Sequence, residues 1–135
     1  FGPRQHQEKF IPTIMRNLLQ GNKIPIYGTG KNVREWTYVK DTPRAIEHIL
    51  LNSKMNKVYN ISSSNEQENL EIVKKITSAL GKDFEESITF VPDRLGHDFR
   101  YSVDASRLED IGFSLDGSIS FDQNLQETIS YYEKN

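Results

Sequence analysis

The chain has 135 residues, with 17 Lys and Arg against 19 Asp and Glu and a formal net charge of −2. That length is about one domain and is short for an enzyme carrying both a cofactor domain and a substrate domain. The balanced charge excludes a general basic field for nucleic acid or an anionic membrane, although a few placed arginines suffice to hold a phosphate.

Hydrophobic residues make up 36%, enough for a modest core and too many for a disordered chain. No apolar run approaches the ~18 residues of a membrane span. Cys is absent, which removes disulfides, thiolate metal sites and Cys nucleophiles. The expected compartment is the cytoplasm. The opening Phe1-Gly2-Pro3-Arg4 has neither an initiator Met nor the pattern of a signal peptide. Of two readings, a trimmed or processed start and a sequence that begins inside a larger protein, the second is expected.

Ile11, Ile14, Met15, Leu18 and Leu19 recur at helical spacing and predict a helix over residues 8–20, with Pro12 in its first turn and Gly21 as the stop. Ile24-Pro25-Ile26-Tyr27 reads as a short strand or extended segment, its Pro pointing to an edge or an irregular stretch. A Gly28-Thr29-Gly30 turn follows, then a strand over residues 35–39. Asp41 is the expected N-cap of a second helix, with Ala45, Ile46, Ile49 and Leu50 on its buried face. Residues 58–62 have the composition of a strand, followed by a polar loop. Asn69 is the expected N-cap of a third helix whose buried stripe is Leu70, Val73, Ile76, Thr77 and Leu80. Ile88-Thr89-Phe90-Val91 is another strand. A charged loop follows, then a short extended piece at residues 101–103. Asp104 caps a brief helix, and Ser120 with Gln123 forms a capping box for a last helix along Phe121, Leu125, Ile129 and Tyr132. Alternating strands and about five helices give an α/β class with short strands and an incomplete sheet.

Most chemical signals are missing. Gly28-Thr29-Gly30 begins like a dinucleotide fingerprint, but position 33 is Val and no helix is predicted after the turn. His6, His48 and His97 are scattered, so no metal site is expected. Tyr27 and Lys31 have Tyr-x-x-x-Lys spacing, but two intervening glycines argue against a helix. Asn60-Ile61-Ser62 fits a glycosylation sequon within a segment expected to be a buried strand. No catalytic residue is expected in this chain.

What remains lies in loops: Arg34 past the Gly turn, Asn69 at a helix start, and Asp93-Arg94-Leu95-Gly96-His97-Asp98 between two strands. Any one of these reads first as a solvated surface residue. Together, an Arg pair and a helix N-terminus make a sound diphosphate clamp, with fixed forks, charge assistance and backbone N–H donors.

The same loops carry a resemblance. Phe1-Gly2-Pro3-Arg4, Glu8-Lys9-Phe10-Ile11-Pro12, Pro25-Ile26-Tyr27-Gly28, Val33-Arg34-Glu35-Trp36-Thr37-Tyr38-Val39, Tyr59-Asn60-Ile61, Asn65-Glu66-Gln67-Glu68-Asn69 and Asp93-Arg94-Leu95-Gly96-His97-Asp98 occur in order. Over essentially its whole length the chain resembles the C-terminal, substrate-binding part of the dTDP-glucose 4,6-dehydratases, which are extended short-chain dehydrogenase/reductases. The resemblance implies part of a larger Rossmann-type fold, with residues 1–135 as one nucleotide-sugar binding domain. An NAD-binding domain would lie outside this chain. The implied reaction passes hydride from C4 of the sugar to NAD+, loses water across C5–C6 and returns hydride to C6.

By position, Glu8, Lys9 and Phe10 match a segment lining the nucleotide pocket. Pro25, Ile26 and Tyr27 match the base pocket. Arg34 and Arg94 match the diphosphate arginines, Asn69 a nucleotide contact, and His97 a position beside the pocket. Phe1, Leu95 and Ser62-Ser63-Ser64 depart from the family pattern, which bears on nucleotide preference. The implied partner is a dTDP-sugar, with no nucleic acid and no membrane, in a homo-oligomer. Self-association through an exposed strand at residues 58–62 is a further expectation. The alternatives are the substrate domain of a UDP- or GDP-sugar epimerase or decarboxylase, and a non-catalytic nucleotide-sugar binding module.

Overall fold

The computed structural model describes residues 1–54, 56–115 and 117–134. Helix α1 (Phe10–Leu19) turns Ile11, Pro12, Ile14, Met15 and Leu18 inward. Pro12 sits in the first turn, where a missing N–H costs nothing. Strand β1 (Ile24–Tyr27) alternates, burying Ile24 and Ile26 and turning Pro25 and Tyr27 the other way. It pairs in parallel with β4 (Ile88–Val91), Ile24 opposite Ile88 and Tyr27 opposite Val91. The two strands form a two-stranded sheet, so Pro25 is on an edge as expected.

A second, three-stranded sheet is centred on β2 (Val33–Glu35). It runs antiparallel to β3 (Glu66–Glu68) and parallel to β5 (Arg100–Tyr101). The expected strand at residues 35–39 therefore starts earlier and stops at Glu35, where its partner stops. Trp36 and Val39 each make one backbone bond, to Asn65 and Phe1, but no ladder continues.

Four further helices are α2 (Asp41–Asn52), α3 (Asn69–Ala79) and the single turns α4 (Phe84–Ser87) and α5 (Ser106–Glu109). With α6 (Gly117–Lys134) the described residues hold six helices rather than five. The extra one is α4, a single turn capped by Asp83, whose carboxylate accepts from the Glu86 N–H at 2.9 Å. Helices α1, α3 and α6 pack around one core that includes Ile72, Val73, Ile76, Phe121, Leu125 and Ile129. Each such side chain stabilises the fold by about 1.5–3 kcal/mol.

Several local expectations are corrected. Asp41 is the first residue of α2 rather than its cap, and its carboxylate takes Arg44 Nη1 at 3.1 Å. Only Ala45 of the expected α2 face is buried. Ile46 and Leu50 are exposed, because no described element covers them. Asn69 likewise opens α3, with Glu68 in the cap position. Asp104 does accept from Ser106 N–H at 2.8 Å, but Ala105 stands at the α5 cap. Ser120 lies inside α6, and its hydroxyl accepts from Asn124 at 3.2 Å, so no capping box forms there.

Residues 58–62 form no strand, since they pair with none among the described residues. Val58 is 76% exposed. Asn60 is exposed too, its amide donating to the Asp104 carbonyl at 2.8 Å. Neither the buried strand nor a strand edge for self-association is therefore present in this segment.

The second sheet is tied by Arg100, which donates from Nε and Nη2 to the two oxygens of Glu66 at 2.7 and 2.5 Å. Its hydrogen bonds hold the Glu66 carboxyl below the ordinary glutamate value. A carboxyl depressed in the fold stabilises above its unfolded pKa, and that contribution fades as pH falls through the folded value. Denaturant titrations should therefore show Glu66→Gln less stable than the parent at neutral pH, with the gap closing in acid. A gap independent of pH would contradict the pair's role.

Candidate functional site

The turn after β1 governs what meets here. Gly28 and Gly30 both have positive φ, 56° and 70°. The Gly30 carbonyl accepts from Leu70 N–H, and the Asn32 carbonyl from Asn69 N–H, both at 3.0 Å. These bonds pin the start of α3 to the turn. They also correct one expectation: the first two N–H groups of α3 are taken by backbone and are not free phosphate donors.

A cavity of about 320 Å3 opens beside this junction. Glu8 and Phe10 line it from the start of α1, and Pro25, Ile26 and Tyr27 from β1. Arg34 enters from β2, Asn69 from α3, and Arg94 and His97 from the charged loop. Nine of the ten expected residues thus share one wall. Lys9 is exposed at the N-cap of α1 and is not part of the lining. Thr13, Ile14, Ile24, Gly30 and Trp36 complete the wall. Gly30 and Trp36 belong to the Gly turn and to a shared segment, but only the pairing of distant elements brings all five to the cavity.

The basic side is tightly organised. Arg34 donates from Nη1 to its neighbour's carbonyl at Val33 (2.7 Å) and from Nη2 to the Asp98 carbonyl (2.8 Å). Arg34 Nη2 also lies 3.1 Å from His97 Nε2, and Arg94 Nη2 lies 2.9 Å from the same nitrogen. Asp93 Oδ1 is 2.7 Å from His97 Nδ1. That contact, with the Arg94 N–H, holds the Asp93 carboxyl below the ordinary aspartate range. The Arg94 guanidinium lies over the Tyr27 ring, 5.3 Å from its centre. Two fixed cations beside an apolar, aromatic wall suit a ligand with an anionic group and a flat ring.

The turn does not build a dinucleotide site. It leads into β2 rather than a helix, so it supplies no helix N-terminus for a pyrophosphate. Tyr27 and Lys31 likewise do not share a helix. Among the described residues no group of three or more His, Asp and Glu could hold a metal, and no helix is long and apolar enough to cross a membrane. A larger groove, about 890 Å3, lies between Arg4–Glu8, α1 and the end of α6. Apart from Glu8 it contains none of the expected site residues.

Residues 1–62 match the NAD dependent epimerase/dehydratase family. The chain is 43% identical over 132 residues to the low-salt glycan biosynthesis protein Agl12 of Haloferax volcanii, matching 98% of this chain and 42% of that protein. It is 39% identical over 136 residues to a dTDP-glucose 4,6-dehydratase of Streptomyces niveus, covering 100% and 40%. The structure of DesIV, a dTDP-glucose 4,6-dehydratase from Streptomyces venezuelae with NAD bound, superposes with a TM-score of 0.91 at 38% identity. It covers 100% of this chain and 41% of that one. The chain therefore spans about two fifths (40–42%) of the length of the curated relatives it matches.

Proposed function

We propose, for a chain that is a relative of the dTDP-glucose 4,6-dehydratases in the extended short-chain dehydrogenase/reductase superfamily, that the 320 Å3 cavity grips the nucleotide diphosphate of a dTDP-sugar. The observation that carries this reading is the convergence of Arg34, Arg94, Tyr27 and Asn69 on one cavity from four separate parts of the chain. The arginines hold the diphosphate by charge-assisted forks. Pro25, Ile26 and Tyr27 offer the apolar and aromatic surface that a pyrimidine stacks on. Glu8, Phe10 and Asn69 flank it, His97 stands behind the arginines, and exposed Lys9 is the remaining expected contact.

Residues 1–135 act in this proposal as one nucleotide-sugar binding unit of an NAD-dependent dTDP-glucose 4,6-dehydratase in the cytoplasm, assembled as a homo-oligomer. NAD and the proton-transfer groups would be held by residues outside this chain, which alone would be inactive. Binding the unreactive nucleotide end fixes the sugar for chemistry performed elsewhere.

Titration with dTDP, UDP and GDP tests the reading. The expected order has dTDP tightest, and Arg94→Ala should weaken it by about tenfold or more, the loss of one charge-assisted bond. Tightest binding of GDP, or no saturable binding, would contradict it. A UDP-sugar preference would favour the epimerase reading, which the matched family also includes.

A further inference from the structure

The clamp proposed above depends on where two guanidinium groups are held, and a single imidazole meets both. Arg34 Nη2 and Arg94 Nη2 lie 3.1 and 2.9 Å from Nε2 of His97. A guanidinium only donates, so Nε2 must accept. In the neutral ring the proton then sits on Nδ1. That nitrogen is 2.7 Å from Asp93 Oδ1, which can accept its hydrogen bond. Asn32 Nδ2 also stands 3.4 Å from Nδ1, but the Asp98 carbonyl, at 3.3 Å, is the acceptor that suits it.

Asp93 is itself placed. Its Oδ1 accepts from Arg94 N–H at 2.8 Å. The Gly28 turn presses close to it: a Cβ at Gly28 would lie 3.0 Å from Oδ2 and 3.2 Å from the Asp93 Cβ. The His97 side chain is only 9% exposed, so the ring is held within the closed loop. The charged groups facing the imidazole are Asp93 and Arg94 from its own loop and Arg34 from β2. Glu8 and Tyr27 share the cavity wall.

We propose that Asp93 is a positioning residue. By accepting the hydrogen bond from Nδ1 of His97, it leaves Nε2 as the shared acceptor that holds Arg34 and Arg94 side by side for an anionic ligand. Without the carboxylate the Nδ1 proton loses its acceptor, and the two guanidinium donors alone must hold that tautomer. The other neutral tautomer would turn Nε2 into a donor facing two donors, and the guanidinium groups would separate. This inference rests on the functional reading for its ligand, but its proton position can be read without one.

The test combines dTDP titration with nitrogen-15 NMR of the His97 ring. Asp93→Ala should move the ring proton toward Nε2 and weaken dTDP by about tenfold. His97→Gln supplies an amide carbonyl near the Nε2 position, so it can accept from the arginines without a tautomer to control. In that background Asp93→Ala should cost no more than about threefold, the difference measuring the coupling between the two residues. A proton that stays on Nδ1 in Asp93→Ala, or an equal loss of affinity in both backgrounds, would overturn the proposal. Failure of the unaltered protein to bind dTDP would overturn the functional reading instead, and the ring spectrum alone would then decide the positioning role.

Discussion

Replacing Arg34 with Ala is expected to weaken dTDP binding by roughly 30- to 150-fold, the equivalent of about 2–3 kcal/mol. Two losses combine. The ligand loses a charge-assisted donor from a strand, where the guanidinium is fixed rather than searching. The loop loses its anchor as well, because Arg34 reaches the Asp98 carbonyl at 2.8 Å and His97 at 3.1 Å. Arg34→Lys keeps the charge but has no planar fork to meet both, so it should recover only part of the affinity. Isothermal titration of the three proteins checks this. Equal dTDP affinity for the parent and Arg34→Ala would remove Arg34 from the site.

Gly30→Ala should be the most damaging small substitution for the fold around the cavity. The residue sits at φ 70°, a region that costs a side chain about 1–2 kcal/mol. Space is lacking as well: an added Cβ would stand 2.7 Å from Ile26 Cγ2 and 3.0 Å from Leu70 Cδ1. Ile26 is only 2% exposed and belongs to β1, so it cannot step aside without disturbing the pairing with β4. Overpacking of this kind costs about 1–3 kcal/mol more. Together these predict a loss of about 2–5 kcal/mol and a melting temperature lower by roughly 10 °C. Calorimetry of Gly30→Ala is the check, and an unchanged transition would contradict the packing described for the turn.

The helices were legible where a continuous apolar stripe meets a cover. Ile11, Ile14, Met15 and Leu18 in α1, and Phe121, Leu125 and Ile129 in α6, are buried as their spacing predicts. Strands β1 and β4 also stand where their composition puts them. Their mutual pairing was hidden, because Ile24 and Ile88 stand 64 positions apart and nothing local encodes the register. The same non-locality explains the errors. Residues 58–62 have strand composition, but a strand exists only with a partner, and none stands beside them among the described residues. Ile46 and Leu50 repeat at helical spacing, yet periodicity identifies a helix face without saying what covers it.

The site residues came less from spacing than from resemblance in loop motifs, which the fold then gathered on one wall. The loop from Asp93 to Asp98 stood out by its charge, but the hydrogen bond from His97 to Asp93 needs the loop's closed shape to be seen. Thr13 carried no signal, Ile14 read only as part of a helix stripe and Trp36 only as part of a strand and a shared segment, yet all three line the cavity.

The most direct measurement is side-chain NMR during addition of dTDP, following Tyr27, Arg34 and Arg94 on one side and Arg4, Arg16 and Tyr131 on the other. The first three line the smaller cavity and the last three the larger groove. Saturable shifts of Tyr27, Arg34 and Arg94, with Arg4, Arg16 and Tyr131 unmoved, are the predicted result. Shifts confined to Arg4, Arg16 and Tyr131 would place the nucleotide in the wrong cavity and contradict the assignment.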